Sequence, residues 1–268
     1  MRLLLPTDFS TNAVHAAEYA VRLFGTTGNR FMFVHVYYEL DPSSDALPMI
    51  TTELIAAAES GMREFVDRIS RRTGAGGMEQ EVRIGPLSST VNEMVREQQI
   101  DLVVMGKRGE GGSRFFGSNT TDMIKHADVP VLAVPEEAPL RDVRRILLAS
   151  DHEDVRASDL DVLREIAQLK NAEVVVAHVE RPDDPKGPHW SEGIYDVGLK
   201  GVAHRFITVE GGEVPDALVG SASRVEADMI AVVHRRTGFL ARLFDPSLAK
   251  ELALHGTIPL LALQHAKA

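Results

Sequence analysis

The chain has 268 residues, 44% of them hydrophobic, no cysteine, and a formal net charge of −10 from 39 acidic and 29 basic side chains. The missing thiol excludes disulfides, thiolate metal sites and thiol catalysis, and fits a reducing compartment. The acidic balance argues against nucleic acid as the main partner, because phosphate-backbone binding draws on clustered Lys and Arg. "MRLLLPTDFS" holds too short an apolar run for a signal peptide, and no stretch approaches the roughly 18 apolar residues of a membrane span, so a cytoplasmic protein with no membrane partner is expected.

In chain order, "RLLLP", "FMFVHVYY", "QEVRIG", "DLVVMG" and "VPVLAVP" are short apolar runs of the kind made by strands buried on both faces. Between them Ala13, Ala16, Ala17, Ala20, Val21 and Phe24 recur at helical spacing, as do Ile55, Met62, Phe65, Val66 and Ile69, and then Val91, Met94 and Val95. Strand alternating with helix predicts a parallel sheet with right-handed crossovers and helices on both faces.

After "PEEAPLRDVRR", a polar, proline-containing stretch suited to a linker, the pattern begins again. One ungapped shift aligns Arg2 with Arg145, Asp8 with Asp151, His35 with His178 and Val36 with Val179; later "IDLVVMG" answers to "ADMIAVV" and "ADVPVLAVP" to "GTIPLLALQ". The chain reads as a duplication with boundaries at 1–137 and 143–268. One element differs: where the first half has its long second helix, the second has "PDDPKGPHWSEGIYDVGLKGVAHR", whose prolines and glycines leave room for a short helix around Ile194 to Val202.

In an open parallel sheet ligands bind at the carboxyl ends of the strands. The loop "GKRGEGGSRFFGSNTTDM" follows such a strand and leads into a helix. Glycines permit close backbone approach, and free N–H groups at a helix start favour an anion, so a phosphate is the guest expected there. Lys107, Arg108 and Arg114 supply charge, while Ser118, Asn119 and Thr120 offer short hydrogen-bonding side chains. Two standard phosphate loops do not fit: Lys107 does not follow the second glycine of a G-x-x-x-x-G-K-[ST] pattern, and Arg114 stands where G-x-G-x-x-G needs its last glycine. A surface loop in which glycine merely turns the chain is the bland alternative.

These residues resemble the universal stress protein family, whose nucleotide-binding members carry G-x2-G-x9-G-[ST] after the fourth strand, with an Asp ending the first strand and a Val ending the second. The first half has Gly106-x2-Gly109, Gly117-Ser118, Asp8 in "LLPTD" and Val36 in "FVHVYY". The resemblance covers both halves. It implies two flavodoxin-like domains of the adenine nucleotide alpha hydrolase-like class, each a five-stranded parallel α/β sheet of order 3-2-1-4-5. It further implies a cytoplasmic stress-response protein binding ATP or another adenine nucleotide, with or without Mg2+. Asp8 and Val36 would face adenine, with Pro6, Thr7 and Met105 beside them. Gly106, Arg108, Gly109, Gly117, Ser118, Asn119 and Thr120 would serve ribose and phosphates. One departure is that seven residues, "EGGSRFF", separate Gly109 from Gly117 where the family pattern has nine.

The second half keeps the spacing and loses the glycines: Val233 and Arg236 take the first two positions and Pro246-Ser247 the last pair. "DPSLAKEL" reads as a helix start capped by Asp245, which would put a carboxylate in the anion site. That half is expected to be a structural or regulatory partner. No catalytic residue is predicted, since no base is placed to orient a water and G-x-S-x-G is absent, so hydrolysis would be slow at most. The alternative function is a scaffold that binds no nucleotide and works through protein contacts. His35 and His178 are expected to be strand-end residues in contact with the sheet. His152, Glu153 and Asp154 are expected to be solvated charges, and Tyr37 and Tyr38 to be pocket-lining or core side chains. By the resemblance, "PVLAVP" and "PLLALQ" pair antiparallel across a pseudo-twofold axis, making the chain an internal equivalent of a family dimer; a homodimer of the chain is a further possibility.

Overall fold

The computed structural model describes residues 1–37, 47–106, 118–150, 155–180, 192–210, 214–234 and 257–265. The first half runs β1 (Arg2–Pro6), α1 (Thr11–Phe24), β2 (Arg30–Tyr37), α2 (Leu47–Thr73), β3 (Glu79–Ile84), α3 (Leu87–Gln98), β4 (Leu102–Gly106), α4 (Ser118–His126) and β5 (Val131–Val134). The second runs β6 (Arg145–Ser150), a 3-10 turn (Ala157–Leu160), α5 (Asp161–Lys170), β7 (Glu173–Glu180), α6 (Glu192–Gly198), β8 (His204–Glu210), α7 (Val214–Arg224), β9 (Met229–His234) and β10 (Leu260–Gln264). The short α6 is the one expected from the prolines and glycines around it, ending at Gly198 instead of Val202.

The ten described strands form one sheet in the order β3-β2-β1-β4-β5-β10-β9-β6-β7-β8. Each half is the parallel 3-2-1-4-5 arrangement, and the two join where β5 and β10 pair antiparallel with Leu132 opposite Leu261. Neither strand is an edge. The true edges are β3 and β8, and both carry paired charges, Arg83 with Glu81 and Glu97 on one side and Arg205 with Glu173 on the other, which discourages further strand addition.

Because successive strand residues point to opposite faces, the apolar side chains separate into two clusters by face, and each runs through both halves. Leu3, Leu5, Phe31, Phe33, Leu102 and Val104 pack with α1, α2 and α5 on one face. Leu4, Val34, Val103 and Met105 pack with α3, α4 and α7 on the other. Helix α1 is buried nearly all round, and its Ala16, Ala17 and Ala20 let it sit close to the sheet. It starts at Ser10, whose hydroxyl accepts the Ala13 N–H at 3.2 Å, and stops at Gly25, which has a φ of 66° and returns its N–H to Val21.

The repeated arginines have a structural explanation. Arg2 and Arg145 donate from their guanidinium groups to the carbonyls of Gln98 and Val225 at the ends of α3 and α7. Their backbone N–H groups are held by Asp101 at 2.7 Å and Asp228 at 3.1 Å. The stretch read as a linker is docked instead of loose. Ala138 and Val143 are buried, His15 Nε2 donates to the Ala138 carbonyl at 2.8 Å, and Arg141 pairs with Asp228 at 2.7 Å.

Candidate functional site

Strand β1 lies between β2 and β4, so the residues that follow or end these three strands stand side by side at one carboxyl edge. The β1 segment is the most elaborately tied. Thr7 extends the ladder by donating its N–H to the Val34 carbonyl at 2.8 Å. Its hydroxyl accepts the Phe9 N–H at 3.0 Å, and Asp8 Oδ1 accepts the Ser10 N–H at 3.1 Å. The chain therefore turns sharply, with Phe9 at a φ of 64°, a region non-glycine residues seldom occupy.

His35 holds this turn from below. Its Nδ1 donates to the Thr7 carbonyl at 2.8 Å, and its ring stacks on Phe9 at 4.5 Å between centroids, 22° from parallel. Phe9 in turn packs under α2 at Gly61, where a Cβ would stand 3.2 Å from the ring. The expectation of a strand-end histidine in contact with the sheet is met in this form. Pro6 and Thr7 are buried, whereas Asp8 is exposed to solvent. Val36 is half-buried and pairs in register with Arg83, whose guanidinium is held above its ordinary proton affinity by the hydrogen bond it donates to the Glu81 carboxylate, with Glu97 adding to it. Tyr37 is half-buried at the end of β2; Tyr38 lies outside the described residues.

At the end of β4, Met105 is buried and Gly106 partly so. Gly106 is not in the left-handed region; what demands glycine is space. A Cβ there would lie 2.6 Å from Asn12 Nδ2 and 2.8 Å from Asn12 Cγ. The Gly106 carbonyl accepts the hydroxyl of buried Thr120 at 2.8 Å, which ties the strand end to the first turn of α4. Ser118 and Asn119 are exposed at that helix start. Arg108, Gly109 and Gly117 lie outside the described residues, as do Lys107, Arg114, Asp151, His152, Arg236, Asp245 and Pro246.

Phe9, Ser10 and Asn12 were not singled out from the sequence. A signal for Asn12 was there, since the repeat sets it opposite Val155 while Gly106 stands opposite Val233. Among the described residues no group of three His, Asp or Glu side chains is placed to hold a metal. No described helix is long and apolar enough to cross a membrane.

The edge therefore offers a solvent-facing carboxylate, a half-buried aliphatic side chain, a glycine whose Cβ space is taken and an exposed helix start. Such a set can receive a flat polar ring at one end and an anion at the other. A family model described as the universal stress protein family matches residues 1–135. "Universal stress protein G" of Salmonella typhimurium is 26% identical over 144 residues, covering 49% of this chain and 96% of that protein. The Shigella flexneri protein of the same name is 40% identical over 58 residues, so the chain spans 41% of its length. A solved universal stress protein from Archaeoglobus fulgidus superposes over 98% of this chain and 96% of its own, with a TM-score of 0.73 at 18% identity, a likeness of fold.

Proposed function

The chain belongs to the universal stress protein family, and from that premise we propose that it is a cytoplasmic stress-response protein. It binds one ATP, or another adenine nucleotide, in its first half. The observation that carries this reading is the side-by-side ending of β2, β1 and β4, which brings Val36, Thr7–Asp8 and Gly106 to one edge next to the start of α4. Val36 offers the base an apolar side, and the Asp8 carboxylate accepts from a ribose or adenine donor. Gly106 keeps the backbone bare where β4 ends, and the N–H groups of the first described turn of α4, from Ser118 and Asn119, with the α4 dipole favour phosphate. Arg108, Gly109 and Gly117 belong to the same proposed site through the family motif.

The second half is proposed to act as a structural or regulatory partner, from residue 143 onward. Its equivalent strand end carries buried Val233 where the first half has the bare backbone of Gly106, and Pro246, which has no N–H to offer, stands opposite Gly117 with Asp245 before it. Bound ATP would supply a reporter of nucleotide status. The described residues hold, orient and shield it, and none is placed to activate a water.

A denaturing extract of the purified chain, analysed for adenine nucleotide, and calorimetric titration of the stripped chain test the reading together. The expected result is saturation at one nucleotide per chain. Two equal sites, or adenine density confined to the second half of a crystal, would reverse the assignment of the halves. No binding at all would favour the scaffold.

A further inference from the structure

We propose that Asn12 and Gly106 form a matched pair that makes the first half competent for the polyphosphate of its nucleotide, Asn12 acting as the positioning residue. The inference rests on the nucleotide reading and adds a residue that no part of the family motif names. Asn12, in the first turn of α1, is 3% exposed. Its amide occupies the volume a side chain at position 106 would fill, with Nδ2 2.6 Å and its backbone carbonyl 3.2 Å from that Cβ. On the other side of Gly106 the Thr120 hydroxyl grips its carbonyl at 2.8 Å. The last residue of β4 is thus held by α1 and by α4.

The second half is an internal control for what the fold itself requires. The repeat sets Val155 opposite Asn12 and Val233 opposite Gly106, and the registers agree, since Gly106 pairs with Val134 and Val233 with Leu263 in the equivalent strands. Val155 and Val233 are 4% and 7% exposed and belong to the same apolar cluster. Among the described residues, both equivalent positions in the second half are therefore buried hydrocarbon. Burying an amide costs free energy unless its hydrogen bonds are met, so an amide kept where the repeat has valines serves something other than packing. Carrying two N–H donors and one acceptor against the last residue of β4, it keeps that strand end open for the phosphate and supplies a polar surface that hydrocarbon cannot.

The test uses the full chain with Asn12→Val, Gly106→Val and the double substitution, each measured for thermal stability without ligand and for calorimetric affinity toward ATP and adenosine. Gly106→Val alone should lower both the unfolding temperature and ATP affinity. The double variant, which copies the second half, should regain the unfolding temperature of the parent while ATP binding stays weaker by about tenfold or more and adenosine binding by no more than about threefold. Should Gly106→Val fail to fold, Asn12→Val alone carries the test: a folded chain with the same selective loss of ATP supports the proposal, and unchanged ATP affinity overturns it. Recovery of ATP binding together with stability in the double variant would reduce Asn12 to packing, and a double variant no more stable than Gly106→Val would deny the pairing. A parent that binds neither ligand overturns the nucleotide reading itself, and the stability measurements, made without ligand, tell that failure from a failure of the pair.

Discussion

The two halves agree at the amino edge of the sheet and part company at the carboxyl edge. At the amino edge Arg2 and Arg145 do the same work on equivalent helix ends, Asp101 and Asp228 hold equivalent N–H groups, and Gln99 and Glu226 adopt the same left-handed conformation with φ of 51° and 53°. At the carboxyl edge the first half has Asn12 against Gly106 and Thr120 on its carbonyl, where the repeat puts buried Val155 and Val233 opposite Asn12 and Gly106. The residues that close helices and start strands are constrained by the fold in both copies. On the proposed reading, the positions where a ligand would bind answer to the ligand, and with one copy sufficient the other can fill with hydrocarbon.

The largest effect should come from breaking the element that makes the halves one body. Leu132 is fully buried and sits opposite Leu261, with β4 on its other side. Leu132→Pro removes a ladder donor and buried apolar contacts in a central strand, a loss of about 3 kcal/mol or more. Denaturant unfolding should lose its single transition, and protease should cut within 136–144, a stretch the parent protects by burying Ala138 and Val143. Unchanged cleavage kinetics would mean that the halves are held together by something other than this pairing.

The next effect concerns the glycine of the loop that the second half replaced with proline. Gly117→Val should weaken ATP binding by about tenfold, near 1.4 kcal/mol, and leave unfolding cooperative. The matching change in the second half, Pro246→Gly with Asp245→Gly, should create a weak second anion site at some cost in stability. Equal ATP affinity for the Gly117 variant and parent would remove the phosphate loop from the comparison.

How far the sequence reaches follows the same division. The strand and helix alternation and the duplication were legible, because buried runs, helical spacing and a repeated pattern each leave a mark along the chain; the strand order and the antiparallel junction came only through the family resemblance. The division of the core by sheet face was not legible, because it depends on which strands become neighbours across the junction. The docked linker was misjudged for a related reason: "PEEAPLRDVRR" has a linker's composition, and only the closeness of His15 and Asp228 turns it into packed chain. Gly106 was expected from its motif, but its reason was not conformational freedom. It makes room for Asn12, a residue that reads in sequence as an ordinary helix beginning. The role of His35 was legible in kind, and the Phe9 stack that defines it was not.

The smallest effect at neutral pH, and the most selective, lies where α1 meets the linker. Tyr19 is 3% exposed, and burial pushes its phenol well up from the ordinary value, with the Asp228 carboxylate adding to the rise and Arg141 opposing it. Its counterpart in the repeat is Val162, so this phenol has no equivalent at the same position in the second half. A group whose proton affinity is raised in the folded chain stabilises it fully below its unfolded pKa, about 10 for tyrosine, and that contribution is lost as pH climbs through the folded value. Tyr19→Phe keeps the buried ring and removes the proton. Denaturant midpoints of parent and variant should therefore agree within about 1 kcal/mol at neutral pH, then separate above about pH 10, with the variant losing less. Parallel decline of the two at alkaline pH would show that the phenol is free to ionise in the folded chain, and that Tyr19 is less enclosed than its 3% exposure states.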